Sequence, residues 1–124
     1  MKFVLAETPR YWWPVTVRVP SREEAGKVAE QRFEMLFEPQ AQEAALEAAE
    51  AIAGMPTLRE RAAGEREHLH AICKGWRGVI DDTGGEVPFA ADLLDQAAQQ
   101  PWFRRGVLAA YRESLAGEEA RLGN

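Results

Sequence analysis

Cysteine is nearly absent from this sequence of 124 residues, in which Cys73 is the only one. A disulfide within the chain is therefore excluded, and the reducing interior of a cell is the expected compartment. Apolar runs are also short, well below the roughly 18–20 residues that a membrane-spanning helix needs. The opening MKFVLAETPR has one lysine and too short an apolar stretch for a secretory signal. We expect an intracellular protein that makes no contact with a membrane.

Basic residues are too few and too scattered to form a nucleic-acid surface. Fifteen Lys and Arg stand against twenty Asp and Glu, which gives a net charge of −5. Without a basic run, a phosphate backbone is an unfavourable partner, and we predict no nucleic-acid binding. Hydrophobic residues make up 46% and charged residues 28% of the chain, a balance typical of globular proteins. The length suits one domain over residues 1–124 with a hydrophobic core of its own.

The first third of the chain has the two-residue period of β-strands. Valines alternate with polar residues in YWWPVTVRVP, and large apolar residues alternate with charged ones in QRFEMLFEP. Such alternation predicts strands with one buried face. A short apolar run in KFVLAE adds a third candidate. We predict a small antiparallel sheet from strands near residues 3–6, 13–20 and 29–38, within a β-rich part that spans 1–38.

The segment between the two longer strands carries a competing signal. Ser21 and Glu24 match the S-x-x-E spacing of a helix cap, which favours a helix that continues to Phe37. Such a helix would place Arg32 among its apolar positions. We therefore predict a turn that ends near Gly26, followed by the second strand.

Residues 39–117 have the composition and period of helices, and residues 118–124 form a tail. One segment shows the period most clearly, because Leu69, Ile72, Cys73 and Trp76 are spaced i, i+3, i+4, i+7. Glycines and prolines divide the region into helices. The fold class is therefore α+β, a small N-terminal sheet followed by a mainly helical C-terminal bundle. The predicted helices cover PQAQEAALEAAEAIAG, PTLRERAAGEREHLHAICKGW, FAADLLDQAAQQ and PWFRRGVLAAYRESLAG.

No set of residues in the sequence suggests a reaction or a bound cofactor. His70 and Cys73 are three residues apart, but zinc needs three or four ligands and no second pair is present. A Cys/His nucleophile lacks a third group to orient the base. The serines, Ser21 and Ser114, belong to no Ser/His/Asp constellation. We predict no catalytic residues, no metal site and no cofactor.

The stretch GWRGVIDDTGGEVPF over residues 75–89 concentrates glycine and aspartate. It lacks the alternating ligands and terminal Glu of an EF-hand loop, and it lacks the lysine of a phosphate-binding loop. Asp and Gly instead supply the geometry of a tight turn. We predict a structural, hairpin-like turn without a bound ion, built from Trp76, Gly78, Asp81, Asp82, Gly84, Gly85, Pro88 and Phe89.

Aromatic residues are clustered at two points of the chain. Tyr11, Trp12 and Trp13 are consecutive, and side chains of a strand alternate between its faces, so they cannot all point inward. Trp and Tyr favour interfaces with partners. The alternative, that the cluster simply covers the helical half, stays open. We predict partner contacts at Trp12, Trp13, Trp102 and Phe103.

Nearly the whole chain resembles the tail assembly chaperones of long-tailed, siphovirus-type bacteriophages and prophages. Three pieces carry the resemblance: the strand VTVRVP followed by RFEMLF, the turn GWRGVIDDTGGEVPF, and the closing helix AAYRESLAG. The turn is the most specific of the three. One departure is Ala90, where relatives tend to have a serine that caps the next helix.

The resemblance implies a non-enzymatic protein of the host bacterial cytoplasm that is absent from the mature virion. Such chaperones are thought to coat the tape measure protein and keep it soluble until the tail tube assembles around it. A frameshift-extended form recruits the major tail tube protein. Self-association into a homo-oligomer is left open. The alternative is a structural tail-completion or connector protein retained in the virion.

Overall fold

The computed structural model describes residues 1–121, and the α+β class is confirmed. An antiparallel three-stranded sheet lies beside four helices. The last three residues of the predicted tail, 122–124, lie outside the described part. In chain order the elements are β1 (Tyr11–Pro20), β2 (Val28–Phe37), α1 (Gln42–Ala53), α2 (Leu58–Ile72), β3 (Cys73–Arg77), α3 (Ala91–Ala98) and α4 (Pro101–Ser114).

Strands β1 and β2 form a long hairpin whose register runs from Tyr11 opposite Phe37 to Pro20 opposite Val28. The segment between them is a turn, as predicted. The Ser21 hydroxyl accepts hydrogen bonds from the backbone N–H groups of the second and third residues after it, both at 3.2 Å. The prediction of a strand after this turn is confirmed by β2.

The predicted strand at residues 3–6 is wrong. Residues 1–10 form neither strand nor helix, and every one of them is exposed. The third strand is instead β3, which pairs with the other side of β2 and gives the order β1-β2-β3. The central strand of the sheet, β2, is therefore paired on both sides, and neither partner is the N-terminal segment.

The predicted extension of the second helix to Trp76 is also wrong, because α2 ends at Ile72 and Cys73 begins β3. The cause is a β-bulge. Cys73 lies opposite Phe37 and Gly75 lies opposite Leu36, so Lys74 is the extra, unpaired residue. A bulge shifts the alternation by one residue, so that Cys73 and Trp76 are both buried although they are three apart.

The core lies between the inner face of the sheet and the helices. Helix α4 packs across β1, and α2 and α3 complete the layer. Gly106 allows the closest approach, since a methyl group there would lie 2.7 Å from the carbonyl oxygen of Thr16. The buried side chains are Val15, Val17, Met35, Phe37, Leu69, Ile72, Cys73, Trp76, Leu94, Ala98, Phe103, Val107, Ala110 and Tyr111.

The helices differ in how firmly they are held. Helix α1 has no buried residue and packs chiefly against α2. Helix α3 begins at Ala90 without a side-chain cap, at the position where the resemblance leads one to expect serine. Helix α4 begins with Pro101 at its first turn, as predicted. None of the helices among residues 1–121 is long and apolar enough to cross a bilayer.

Candidate functional site

The glycine-rich stretch at 75–89 forms a small hairpin-like loop. Ile80 and Glu86 form a β-bridge, and the Val87 N–H donates to the Val79 carbonyl at 2.9 Å. At the tip, one carboxylate oxygen of Asp81 accepts three hydrogen bonds, from the Thr83 hydroxyl at 2.7 Å and from two backbone N–H groups at 2.9 Å. These bonds, that of the hydroxyl first, lower the pKa of Asp81.

The carboxylate of Asp81 is thus occupied in holding its own turn. Gly78 and Gly84 have φ of +85° and +86°, a region that residues with a side chain rarely adopt. Asp82, Gly85 and Pro88 are exposed around the same loop. The geometry is that of a tight turn closed by its own hydrogen bonds.

Trp76 and Phe89 attach this loop to the core. The rings meet edge to face with centroids 5.1 Å apart, and the Trp76 indole N–H donates to the Val87 carbonyl at 2.8 Å. Because Trp76 is 7% exposed, its hydrogen bond is made where water has little access. The indole therefore fixes the loop as well as filling space.

Replacing Trp76 with phenylalanine is expected to lower the free energy of unfolding by about 1–2 kcal/mol. The change keeps an aromatic ring but leaves the Val87 carbonyl without its donor. Thermal or urea denaturation measures the loss. Trp12→Phe, at an exposed tryptophan, is the matched control and should change stability by less than about 0.5 kcal/mol. Equal stability of the two variants would contradict the proposed role of the indole N–H.

The pair His70 and Cys73 does not form a reactive site. The His70 imidazole contacts Asp95 at 2.6 Å, which ties α2 to α3, whereas the Cys73 thiol is buried in the core. Burial raises the pKa of Cys73 to about 12, so the nucleophilic thiolate is scarce near pH 7. Within residues 1–121, no three His, Cys, Asp or Glu side chains are grouped so that they could hold a metal ion.

Two of the four predicted partner-binding aromatics are engaged in the fold. Phe103 is buried and stacks on Phe33 with ring centroids 5.7 Å apart and planes 4° apart. Trp13 is half-buried, meets Tyr11 edge to face and donates its indole N–H to Glu113 at 2.9 Å. Phe103 and Trp13 therefore hold the sheet to α4, and we do not include them in a docking surface.

Trp12 lies on the outer face of the sheet, opposite Leu36 in the register. It is 38% exposed, and the guanidinium carbon of Arg77 lies 4.1 Å from the ring centroid. Arg77 in turn donates to Glu34 at 2.8 Å, a contact that lowers the pKa of Glu34. The tryptophan is thus held flat on the sheet by a cation and stays accessible to a partner.

Trp102 lines a groove between α4 and the open edge of β1. We call this the edge groove, and its volume is about 490 Å³. Trp102 is half-buried, whereas Val28 at the start of β2 is 52% exposed. The edge groove is lined by Thr16, Arg18, Pro20 and Val28 from the hairpin and by Trp102, Arg105, Gly106 and Ala109 from α4.

The backbone of β1 at the edge groove offers little to an added strand. The Ser21 N–H donates to the Lys27 carbonyl, so this pair is hydrogen-bonded. Hydrogen-bonded and non-hydrogen-bonded pairs alternate along an antiparallel ladder. The even-numbered residues of β1 therefore direct their backbone N–H and C=O groups toward the open edge. Two of them, Pro14 and Pro20, have no N–H to donate. The groove thus favours a partner that docks by side chains, such as a helix, over a partner that extends the sheet.

Sequence reasoning found Trp12 and Trp102 but missed Arg18, Val28 and Arg105. These three residues lie on separate elements, and only the packing of α4 against the hairpin brings them together. Gly106 was the one available signal, because a glycine within a helical stripe often marks a close approach between backbones.

No protein-family model matches the chain, and neither the curated proteins nor the solved structures compared with it include a match. Any function is therefore argued from the residues themselves and from the resemblance of their motifs.

Proposed function

We propose that this protein is a non-enzymatic phage tail assembly chaperone that binds the tape measure protein. The resemblance of the turn at 75–89 and of its flanking motifs supports the class. The structural observation that supports a binding role is the pair of accessible tryptophans, Trp12 on the sheet and Trp102 in the edge groove.

The two tryptophans lie near opposite ends of β1, Trp12 on the strand itself and Trp102 on α4 beside the Pro20 end. Trp12 and the groove residues Thr16, Arg18 and Pro20 are all even-numbered positions of β1. The strand from Trp12 to Pro20 spans roughly 27 Å, at about 3.4 Å per residue. A helix of about 18 residues has this length. The surface therefore suits an amphipathic helix, which docks through apolar anchors against aromatic and aliphatic side chains.

The proposal extends to the life cycle that the resemblance implies. The protein acts in the host bacterial cytoplasm, a frameshift-extended form recruits the major tail tube protein, and neither form remains in the virion. A tail-completion or connector protein would instead persist in finished particles. Mass spectrometry of purified particles distinguishes the two roles, and finding the protein in stoichiometric amount would reject the chaperone.

Alanine at Trp12 or Trp102 is expected to weaken binding to the tape measure protein by at least tenfold. An aromatic anchor of an interface contributes about 2 kcal/mol or more when truncated. For Trp12 the fold should lose only about 0.5–1 kcal/mol, the value of an exposed cation–π contact. Co-purification with the co-expressed tape measure protein measures binding, and thermal denaturation measures stability.

Two further variants give this experiment its controls. Leu115→Ala removes another exposed apolar side chain, 56% exposed and outside the edge groove, and should bind as the unmodified protein does. Trp13→Ala should reduce stability because it loses the contacts to Tyr11 and Glu113. If both Trp12→Ala and Trp102→Ala bind normally, the proposed client surface is wrong.

A further inference from the structure

The edge groove is positively charged although the chain as a whole carries a net charge of −5. Its charged lining residues among 1–121 are Arg18 on β1 and Arg105 on α4, both exposed, and no carboxylate of that range lines it. Glu30 lies opposite Arg18 in the register but contacts Arg32 at 3.7 Å instead. Within residues 1–121, neither Arg18 nor Arg105 forms an ion pair. The groove therefore suits an occupant that carries both carboxylates and an apolar side chain.

Helix α1 of the same chain has these properties. Its charged residues are Glu43, Glu47 and Glu50, and it contains no basic residue. Leu46 is 48% exposed, three residues after the first of these glutamates and four before the last. Residues at these spacings are neighbours on a helix surface. Helix α1 thus presents a leucine flanked by two carboxylates, and none of its residues is buried.

We propose that α1 of a second copy of this chain docks in the edge groove. Leu46 enters against Val28 and Trp102, while the carboxylate of Glu50 meets Arg105 and that of Glu43 meets Arg18. Guanidinium–carboxylate contacts of this kind are charge-assisted and directional. The proposal concerns the chain with itself and does not rest on the proposed function.

The occupant comes from another copy because a chain's own α1 packs against α2 and begins near the opposite end of β1 from the groove. Helix α1 follows the end of β2 at Phe37, which pairs with Tyr11 at the start of β1. Arg18 lies seven residues further along that strand, roughly 24 Å away. Two different surfaces meet, so copies associate either head-to-tail in a chain or as a two-fold dimer in which each α1 occupies the other copy's groove.

Association is therefore expected to grow with concentration and to weaken with salt. A groove of this size engages one face of a helix, which places the contact among weak interfaces. The two ion pairs are near solvent, so added salt weakens them. The screening length is about 10 Å at 0.1 M ionic strength and becomes shorter as salt is added. Sedimentation velocity of the purified chain should show the mean mass rising toward about 0.5 mM protein at low salt and falling when salt is added.

Charge reversal tests the pairing. Arg105→Glu and Glu50→Arg should each weaken self-association at least tenfold, because each places like charges face to face. The double variant R105E/E50R, made in one chain, should regain association because the pair between positions 50 and 105 re-forms with its charges exchanged. Arg59→Glu, an exposed charge reversal in the first turn of α2, is the control for net charge and should associate as the unmodified chain does.

Circular dichroism establishes that each variant is folded, and Arg18→Glu with Glu43→Arg replaces Arg105→Glu with Glu50→Arg if Arg105→Glu is not. Three results would each overturn the proposal: a chain that stays monomeric to about 0.5 mM at low salt, single variants that associate normally, or a folded double variant that stays as weak as the singles. A negative result in the self-association experiment would not bear on the proposed binding of the tape measure protein, because that protein is not present in it.

Discussion

Replacing Phe37 with alanine is expected to lower the free energy of unfolding by about 3–5 kcal/mol, the usual cost of deleting a fully buried phenylalanine. Phe37 has no exposed surface, and its ring lies 5.4 Å from that of Tyr111 on α4 and 6.3 Å from that of Tyr11 on β1. It therefore joins the sheet to the helix that covers it. Since domains of this kind are stable by about 5–15 kcal/mol in total, the variant should be largely or wholly unfolded on warming. Chemical denaturation followed by circular dichroism measures the change.

The control for this prediction is the same substitution at Phe3. That side chain is 89% exposed in the N-terminal segment, so Phe3→Ala should change stability by less than about 0.5 kcal/mol. A Phe37→Ala variant that unfolds at the same denaturant concentration as Phe3→Ala would show that Phe37 does not belong to the core described here.

Alanine at Gly106 is expected to destabilise the protein by about 2 kcal/mol, because overpacking a close contact costs up to about 3 kcal/mol and helix propensity returns about 1 kcal/mol. The new methyl group would lie 2.7 Å from the backbone oxygen of Thr16 and 3.2 Å from the side chain of Val17. A backbone oxygen within a paired strand cannot rotate away, so α4 must move off β1. This cost exceeds the gain of about 1 kcal/mol that alanine brings over glycine inside a helix.

Gly64 on α2 provides the matched comparison. A methyl group there would lie 2.8 Å from Cγ1 of Ile52, which lies on α1, a helix with no buried residue. Ile52 is stiff at χ1, but the weakly held α1 can shift away, and helix propensity offsets about 1 kcal/mol of the cost. Gly64→Ala should therefore destabilise the protein clearly less than Gly106→Ala. Thermal denaturation of both variants checks the difference. Equal loss at the two sites would mean that α4 is not held against β1 by close backbone contact.

The Gly106 contact also shapes the edge groove. It brings α4 onto the edge of β1, and Trp102 and Arg105 precede it on the same helix. Moving α4 outward would separate these two side chains from Arg18. Stability and binding are thus coupled at this glycine, and a variant there should lose both.

Periodicity identified most of the regular elements because each one buries a single face. The alternation in β1 and β2 predicted their strands, and Pro101 together with an apolar stripe predicted α4. Composition was sufficient for α1, whose Ala and Glu residues favour a helix without any buried contact. These signals are local, so a single sequence contains them.

Local signals were wrong where a tertiary contact changed the period. The bulge at Lys74 buries both Cys73 and Trp76, and the resulting spacing imitates the face of a helix. The apolar run near Phe3 has strand character but stays outside the sheet, where β3 takes the second side of β2. Neither effect can be read from the segment concerned, since each depends on a partner far away in the chain.

The sequence by itself determined the α+β class, the tight turn at 75–89 and the surplus of aromatic residues. The tertiary structure decided which aromatics are accessible. It buries Phe103 and ties Trp13 to α4, while Trp12 and Trp102 keep accessible surface. It also assembled the edge groove from arginines on two elements that lie far apart in the chain. The physical reason is that turn geometry and helix propensity act over a few residues, whereas exposure depends on what the rest of the chain packs against each side chain.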